Sequence, residues 1–162
     1  MKTRVIKLLS FIPMIFMLCM IFSFSAQTGE ESGNLSYEIS YKIVEIKNNI
    51  AGEDKTEDEL AASADAIHFY VRKAAHMTEY FVLAVTILVP LYLNGMRGKI
   101  WLLTTAGAGV ISASLDEYHQ SFVGGRGPSV RDVCIDSVGI LIAVFLAGIF
   151  YCIYLKKNDK RS

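Results

Sequence analysis

The sequence has little charge, few cysteines and no familiar catalytic motif. Charged residues make up 20% of the 162 residues, and acidic and basic side chains balance to a formal net charge of zero. The three cysteines stand far apart, with no CxxC pair, so they offer neither a disulfide framework nor a paired zinc motif. A neutral chain has no strong basic field for nucleic acid, and we expect no nucleic-acid partner.

The sequence also lacks the familiar catalytic motifs. There is no HExxH pattern, no P-loop spacing and no serine or cysteine in a convincing nucleophile setting. His76 with Glu79, or His119 with Asp116 and Asp132, could supply metal ligands, but His-x-x-Glu spacing alone is common. We therefore expect no metal and no cofactor, and the sequence leaves open whether the protein is an enzyme.

Hydrophobic residues are abundant, at 52% of the chain with a mean hydropathy of +0.38. The apolar runs 5–24, 74–93 and 133–155 each approach the roughly 20 residues that cross a bilayer as a helix. A fourth run, 100–115, is shorter and leads into a polar stretch. The pattern predicts an all-α, polytopic membrane protein with four transmembrane helices.

Charge asymmetry predicts the orientation of these helices. Residues 27–73 hold ten acidic side chains against five basic ones, whereas the two ends of the chain and the loop 94–99 are basic. Because basic loops remain in the cytoplasm, we expect both termini inside. The acidic segment and the connection between the third and fourth helices then lie outside.

This orientation gives four regions. They are a first transmembrane helix at 1–26, an acidic extracytoplasmic helical segment at 27–67, a three-helix transmembrane domain with an outward polar pocket at 68–155, and a basic cytoplasmic tail at 156–162. A cleaved signal peptide is the alternative for the first region, since the exit SFSA suits it. The apolar core of 17 residues from Leu8 exceeds the usual signal length of about 7–15 and favours a retained helix.

The acidic segment contains an amphipathic pattern. Apolar residues recur at helical spacing at Leu35, Ile39, Ile43, Ile46 and Ile50. We expect this helix to lie on the membrane surface or over the outer mouth of the bundle, and to end at residues 52–54. A second helix should start in TEDEL, at residues 56–60, and continue into the membrane.

Small residues at four-residue steps mark the inward faces of the last two helices, because they let helices approach closely. These residues are Gly109 and Ala113 in the third helix, and Gly139, Ala143 and Ala147 in the fourth. Followed outward, the same faces reach polar side chains, and a face of the second helix does so as well. The eleven polar candidates are Arg72, Lys73, His76, Glu79, Tyr80, Asp116, Glu117, Gln120, Arg126, Asp132 and Asp136.

Charges at membrane depth need partners, because an Asp or Arg there costs roughly 2.5–3.5 kcal/mol. One interpretation is a set of structural ion pairs, for example Arg72 or Arg126 with Asp132 or Asp136. The other is a polar pocket open to the outside, favoured by the excess of charged groups over what a clamp requires. The loop 124–128 could present glycine amides and the Arg126 fork to a phosphate or carboxylate, or could be only a tight turn.

Three blocks of sequence resemble a known family. SFSAQTG, RKAAHMTEY and DEYHQSFVGGRGPSVRDVCIDSVG are similar to the VanZ-like family of bacterial membrane proteins, named for a teicoplanin-resistance protein, over about residues 22–147. The family pattern falls on the eleven polar candidates other than Asp116. At Asp136 members often carry asparagine, so this chain places a further negative charge there.

The resemblance implies a multi-pass protein of the bacterial cell membrane, Gram-positive in the type case, that reduces susceptibility to lipoglycopeptide antibiotics. Together with the polar faces, it predicts a site facing outward that binds membrane lipids or a lipid-linked cell-wall precursor. The alternatives are an enzyme acting on a lipid-linked phosphate or amide, and a structural or partner-binding protein whose working surface is the external segment. Protein partners and the oligomeric state are left open.

Overall fold

The computed structural model describes residues 2–127 and 129–155, and its regular secondary structure there is entirely helical. The predicted all-α chain is therefore confirmed for these residues, while the predicted basic tail, 156–162, lies outside them. The helices are α1 Lys2–Leu9, α2 Ile12–Ser25, α3 Gly29–Ala51, α4 Glu57–Leu93, α5 Gly98–Gln120 and α6 Val130–Phe150, followed by a π-helical turn Tyr151–Leu155.

Three stretches are long and apolar enough to cross a membrane by length and composition. They are Arg4–Ser25, Glu57–Leu93 and Val130–Tyr154. They correspond to the first, second and fourth predicted spans. The third predicted span lies within α5, which is not one of these three. Four spans, and the position of both termini, therefore stay predictions.

The first predicted helix is divided by a turn at Ser10 and Phe11. Pro13 stands in the first turn of α2, where it has no N–H to donate to the carbonyl of Leu9. At the end of α1, the Ser10 hydroxyl donates a hydrogen bond to the Lys7 carbonyl at 2.7 Å. Proline suits the start of a helix better than its interior, so the break occurs just before it.

Helices α3 and α4 each begin with a capping box. Thr28 accepts a hydrogen bond from the Glu31 amide and donates its own amide to the Glu31 carboxylate, and Thr56 and Glu59 repeat the arrangement. The backbone and hydroxyl hydrogen bonds from Thr28 lower the pKa of Glu31. Helix α3 ends where Gly52 takes the left-handed conformation, φ 65°, as the sequence predicted.

Helix α3 packs along the N-terminal part of α4 as an antiparallel pair, called the hairpin below. Val44 of α3 packs against Leu60 and Ala64 of α4, and the His68 ring lies 3.1 Å from the Gly33 carbonyl oxygen. Helix α4 continues without a break across residues 67 and 68, where the sequence suggested a domain boundary. The apolar pattern from Leu35 to Ile50 lies on another face of α3 and remains exposed.

Helices α2, α4, α5 and α6 form a bundle around a compact apolar core. Leu83, Ala84, Ala113 and Ile140 are fully buried in it. Gly139 lies directly against the α4 backbone, because a Cβ there would overlap the carbonyl of Met77. The small-residue faces predicted from the sequence therefore form the helix contacts, and the same helices carry the polar residues to one end of the bundle.

The bundle has two chemically distinct ends. We name them by their residues: the polar end contains the eleven polar candidates together with Ser25, and the aromatic end contains Tyr92, Trp101 and Tyr151.

Candidate functional site

Helix α4 contributes four side chains to the polar end on one face. Lys73, His76, Glu79 and Tyr80 follow the spacing that brings residues three and four apart onto the same side of a helix. The His76 Nδ1 atom lies 3.6 Å from the Glu79 carboxylate, and Tyr80 is completely buried. This face therefore presents an imidazole, a carboxyl group and a phenol side by side.

Helix α5 contributes its last turn. Asp116, Glu117 and Gln120 are all buried, although each is polar. The Gln120 side-chain amide donates to Oδ2 of Asp116 at 2.9 Å, a hydrogen bond within one turn of the helix. The polar residues continue the buried face of Gly109 and Ala113, as the sequence predicted.

Helix α6 contributes its first two turns, and an ion pair ties it to α4. The Nζ of Lys73 lies 2.7 Å from Oδ1 of Asp132, while the Ser129 hydroxyl caps the helix by accepting from the Asp132 amide. Asp136 is buried one turn further on. The sequence had offered Arg72 or Arg126 as the partner of these aspartates. Lys73 takes that position with Asp132 because its side chain points along the α4 face toward α6.

Arg126 reaches the cluster from the loop between α5 and α6. Burial, followed by the charge of Arg72, lowers the pKa of the Arg126 guanidinium, while Asp116, Glu117 and Glu79 act in the opposite direction. Its ordinary pKa lies above about 12, so the group remains a cation. Arg72 also lies close enough to His76 for the two side chains to interact electrostatically. All eleven candidate residues thus converge on one region of the bundle.

Several polar atoms in this region have no partner. Within residues 2–127 and 129–155, the Nε and Nη1 atoms of Arg126, the Tyr80 hydroxyl and Oδ1 of Asp116 are buried without a hydrogen bond. Tyr80 and Asp116 lie close enough to interact electrostatically. Buried polar groups in proteins are nearly always satisfied, so such a concentration indicates a place where water, an ion or a ligand group completes the structure.

The space between these side chains is small. The cavity has a volume of about 10 Å³, roughly the room that one water needs. The sequence suggested a pocket for a head group, whereas here the polar side chains fill most of that space themselves. The lining residues are Lys73, His76, Glu117, Gln120, Asp132, Ile135 and Asp136.

One residue of the polar end was missed by sequence reasoning. Ser25, at the end of α2, is 2% exposed, and its hydroxyl lies 3.3 Å from Nδ1 of His119. Ser25 also interacts with the Asp116 carboxylate. A single serine after an apolar run has no periodic partner that would single it out. Its place in the SFSAQTG block was the signal that could have found it.

The glycines of the loop have a structural role. The Gly29 amide donates to the Gly124 carbonyl at 3.2 Å, and a Cβ on Gly29 would overlap the Gly125 carbonyl. Gly125 itself has a φ of 75°, which favours glycine. The Arg126 amide donates to the Val123 carbonyl at 3.3 Å and is therefore engaged in a turn. These glycines allow the start of α3 to dock on the loop that carries Arg126.

The donor set offers binding groups more readily than metal ligands. No cluster of three or more His, Cys, Asp or Glu able to hold a metal ion occurs in the part of the chain that the structure describes. The three cysteines are free and exposed. Imidazole, carboxyl, guanidinium and phenol groups together can bind an anion, hydrogen-bond a polar head group or transfer a proton.

Comparison with known proteins gives one result. Searches of curated proteins and of solved structures found no match. The VanZ/LLP1 family model matches residues 10–151, a range that includes Ser25 and every one of the eleven polar candidates. Together with its apolar helices, this match shows a VanZ-like membrane protein: the chain belongs to the VanZ/LLP1 family.

Proposed function

We propose that the polar end binds the anionic head group of a membrane lipid or lipid-linked cell-wall precursor at the outer face of a bacterial cell membrane. By doing so it lowers susceptibility to teicoplanin-type lipoglycopeptides. The observation that carries the proposal is the Arg126 guanidinium, two of whose nitrogens are buried and lack an acceptor among the described residues. An unsatisfied buried donor is costly, and a ligand oxyanion would satisfy it.

Other groups at the polar end suit the rest of such a ligand. Oδ1 of Asp116 can accept a hydrogen bond from a hydroxyl or amide of a sugar or peptide, and the Tyr80 hydroxyl can donate one. Lys73 is already paired with Asp132, so Arg126 is the cation with donors to spare. Because the cavity holds about one water, side chains must move apart to admit a head group. The Arg126 loop and the Lys73 ion pair are the parts that would shift.

The position of the aromatic residues supports the fourth span. Trp101 and Tyr118 lie near opposite ends of α5, about 25 Å apart along a helix that rises 1.5 Å per residue. Such residues concentrate at the two membrane interfaces. An α5 lying close to the membrane normal would then cross most of the hydrocarbon region. The loop charges favour the interface at the polar end as the outer one.

The first test compares two arginines. Wild type, Arg126→Ala and Arg131→Ala are expressed at matched membrane levels, and teicoplanin susceptibility is measured. Arg131 is the matched control because its side chain is exposed and lies over the Phe69 ring. We expect protection to be lost with Arg126→Ala and kept with Arg131→Ala. Protection that survives Arg126→Ala would remove this residue from the function.

The second test measures binding directly. Purified protein is titrated with glycerol phosphate by calorimetry, with glycerol as the uncharged control. Arg126→Ala should weaken binding about ten- to a hundredfold, the range expected for a lost charged hydrogen bond. Equal affinity in wild type and variant would contradict the head-group proposal. If the protein binds glycerol phosphate but gives no protection against the antibiotic, the binding site stands and a role in resistance does not.

An enzyme acting on a lipid-linked phosphate or amide is the second candidate, and the pairing of His76 with Glu79 favours it. His76 lines the cavity, and a histidine with a nearby carboxylate can transfer protons. The discriminating measurement is turnover of a labelled envelope lipid by purified protein. Turnover by wild type that is lost in His76→Gln would establish the enzyme. Binding without turnover would favour the head-group proposal.

A further inference from the structure

A second, larger cavity adjoins the polar end. It is a groove of about 480 Å³ between the last turns of α5 and the first turn of α6. The wall is mostly side-chain carbon from Tyr118, Val130 and Val133, with the small Ser114 leaving room at its centre. We call it the α5/α6 groove. Its volume lies within the range of sites that hold small-molecule ligands.

The α5/α6 groove adjoins the polar cavity at one residue. Glu117 lines both: it contributes to the groove wall and to the small cavity that contains Lys73 and Asp132. Two other grooves, of about 950 and 440 Å³, lie elsewhere along the bundle and share no lining residue with the polar cavity. Size alone therefore does not single out the α5/α6 groove, but its connection does.

The groove opens toward the surroundings of the bundle. Tyr118 on its wall is 65% exposed and packs edge-to-face with Phe122, which is 72% exposed. Val130 on the other wall is 82% exposed. Exposed aromatic and aliphatic side chains at a helix end are typical of the boundary between hydrocarbon and head groups. A hydrocarbon chain there meets an apolar wall on the helix side and bilayer on the other.

We propose that the α5/α6 groove holds the hydrocarbon chain of a membrane lipid whose anionic head group enters the polar cavity sideways, past Glu117. The proposal rests on the proposed function and narrows its ligand to an amphiphile that stays in the bilayer. Glu117 would then also select among ligands. Its carboxyl group would repel a bare phosphate, whereas a head group with hydroxyl or amide donors can form a hydrogen bond with it.

The test blocks the groove without touching the polar cavity. Ser114→Trp and Val130→Trp fill it from either wall, and Cys152→Trp is the control, since Cys152 is a small residue that lines the 950 Å³ groove instead. Two probes are used: dioleoyl phosphatidylglycerol in nanodiscs, and the water-soluble glycerol phosphate. We expect Ser114→Trp and Val130→Trp to weaken lipid binding about tenfold, a modest free-energy change, and to leave glycerol phosphate binding unchanged. Cys152→Trp should change neither.

The outcomes distinguish a failure of the α5/α6 groove from a failure of the proposed head-group binding. If the wild type binds neither probe, the proposed function itself fails. If it binds glycerol phosphate and both groove variants bind the lipid as well as wild type does, only the groove is overturned. Loss of both probes in both variants also overturns it, because the groove would then not be separable from the polar cavity. Loss of the lipid alone in either variant, with the control unaffected, supports it.

Discussion

The polar and aromatic ends of the bundle are built by the same helices and satisfy their polar groups differently. At the aromatic end, the Trp101 indole donates to the Leu88 carbonyl at 2.9 Å, and the Thr105 hydroxyl donates to the Trp101 carbonyl at 3.0 Å. At the polar end, Arg126 and Tyr80 retain buried donors without a partner among the described residues. Among the described residues, the buried Trp101 and Thr105 side chains of the aromatic end have hydrogen-bond partners, whereas the polar end leaves buried donors unpaired.

This difference is typical of functional sites. Proteins depart from full polar satisfaction where function requires it, and the remainder of the fold supplies the compensating stability. The buried core around Leu83, Ala84 and Ile140 lies between the two ends. We therefore expect substitutions in the core and at the aromatic end to affect stability, and substitutions at the polar end to affect binding more than stability.

The largest effect should come from the glycine that sets the spacing of α4 and α6 for both ends. In Gly139→Ala the added methyl would overlap the α4 backbone at Met77, and we expect the free energy of unfolding to fall by about 3 kcal/mol. Gly107→Ala is the matched control, because a Cβ there meets no described atom within 4 Å. That variant should gain up to about 1 kcal/mol from helix propensity. Reversible denaturation in detergent, followed by circular dichroism, measures both, and equal stabilities would contradict the close contact.

Substitutions of Trp101 and Tyr80 test whether the two ends of the bundle differ in how their polar groups are satisfied. Trp101→Phe removes a satisfied hydrogen bond and buried volume, so it should destabilise the protein by about 2 kcal/mol. Tyr80→Phe removes a buried hydroxyl that has no hydrogen-bond partner in the described structure, so it should leave stability unchanged or raise it slightly. The same denaturation experiment applies without ligand. A cost at Tyr80 as large as that at Trp101 would show that both ends are complete.

The smallest effect concerns two ion pairs in different surroundings. A double-mutant cycle on Lys73 and Asp132, whose side chains are 20% and 32% exposed, should give a coupling free energy of about 1–2 kcal/mol. The cycle on Lys42 and Glu38, exposed by 66% and 65%, should give about 0.3–0.5 kcal/mol. Lys73→Met with Asp132→Asn, and Lys42→Met with Glu38→Gln, supply the variants. Equal couplings would mean that water reaches both pairs alike.

Much of the fold could be predicted because it depends on local chemistry. Apolar runs predicted helices, Gly52 predicted the end of α3, and the residues TEDEL predicted the start of α4. The break before Pro13 is also a local effect, although the apolar run around it concealed it. The packing face of α3 was harder to predict. Its apolar pattern predicted a helix on the membrane surface or over the outer mouth of the bundle, and that stays a prediction. The face toward α4 carries Val44 and Ser40 instead, where smaller side chains let the two helices approach.

The site was predicted where periodicity reached it. Asp116 and Asp136 follow small-residue faces at helical spacing, so the sequence alone placed them together. Ser25 and the partner of Asp132 depend on how helices from distant parts of the chain meet, and no periodicity reports that geometry. The size of the cavity also lay beyond prediction, because it depends on how far the side chains fill the space between helices.

The main-chain hydrogen bond from Gly29 to Gly124 gives the hairpin a mechanical relation to the site. It joins the start of α3 to a loop only two residues from Arg126. A load that tilts the hairpin, such as the pull of a polymer bound to it, must either break this bond or displace the loop. A force on the hairpin is therefore transmitted to the loop that holds the Arg126 guanidinium.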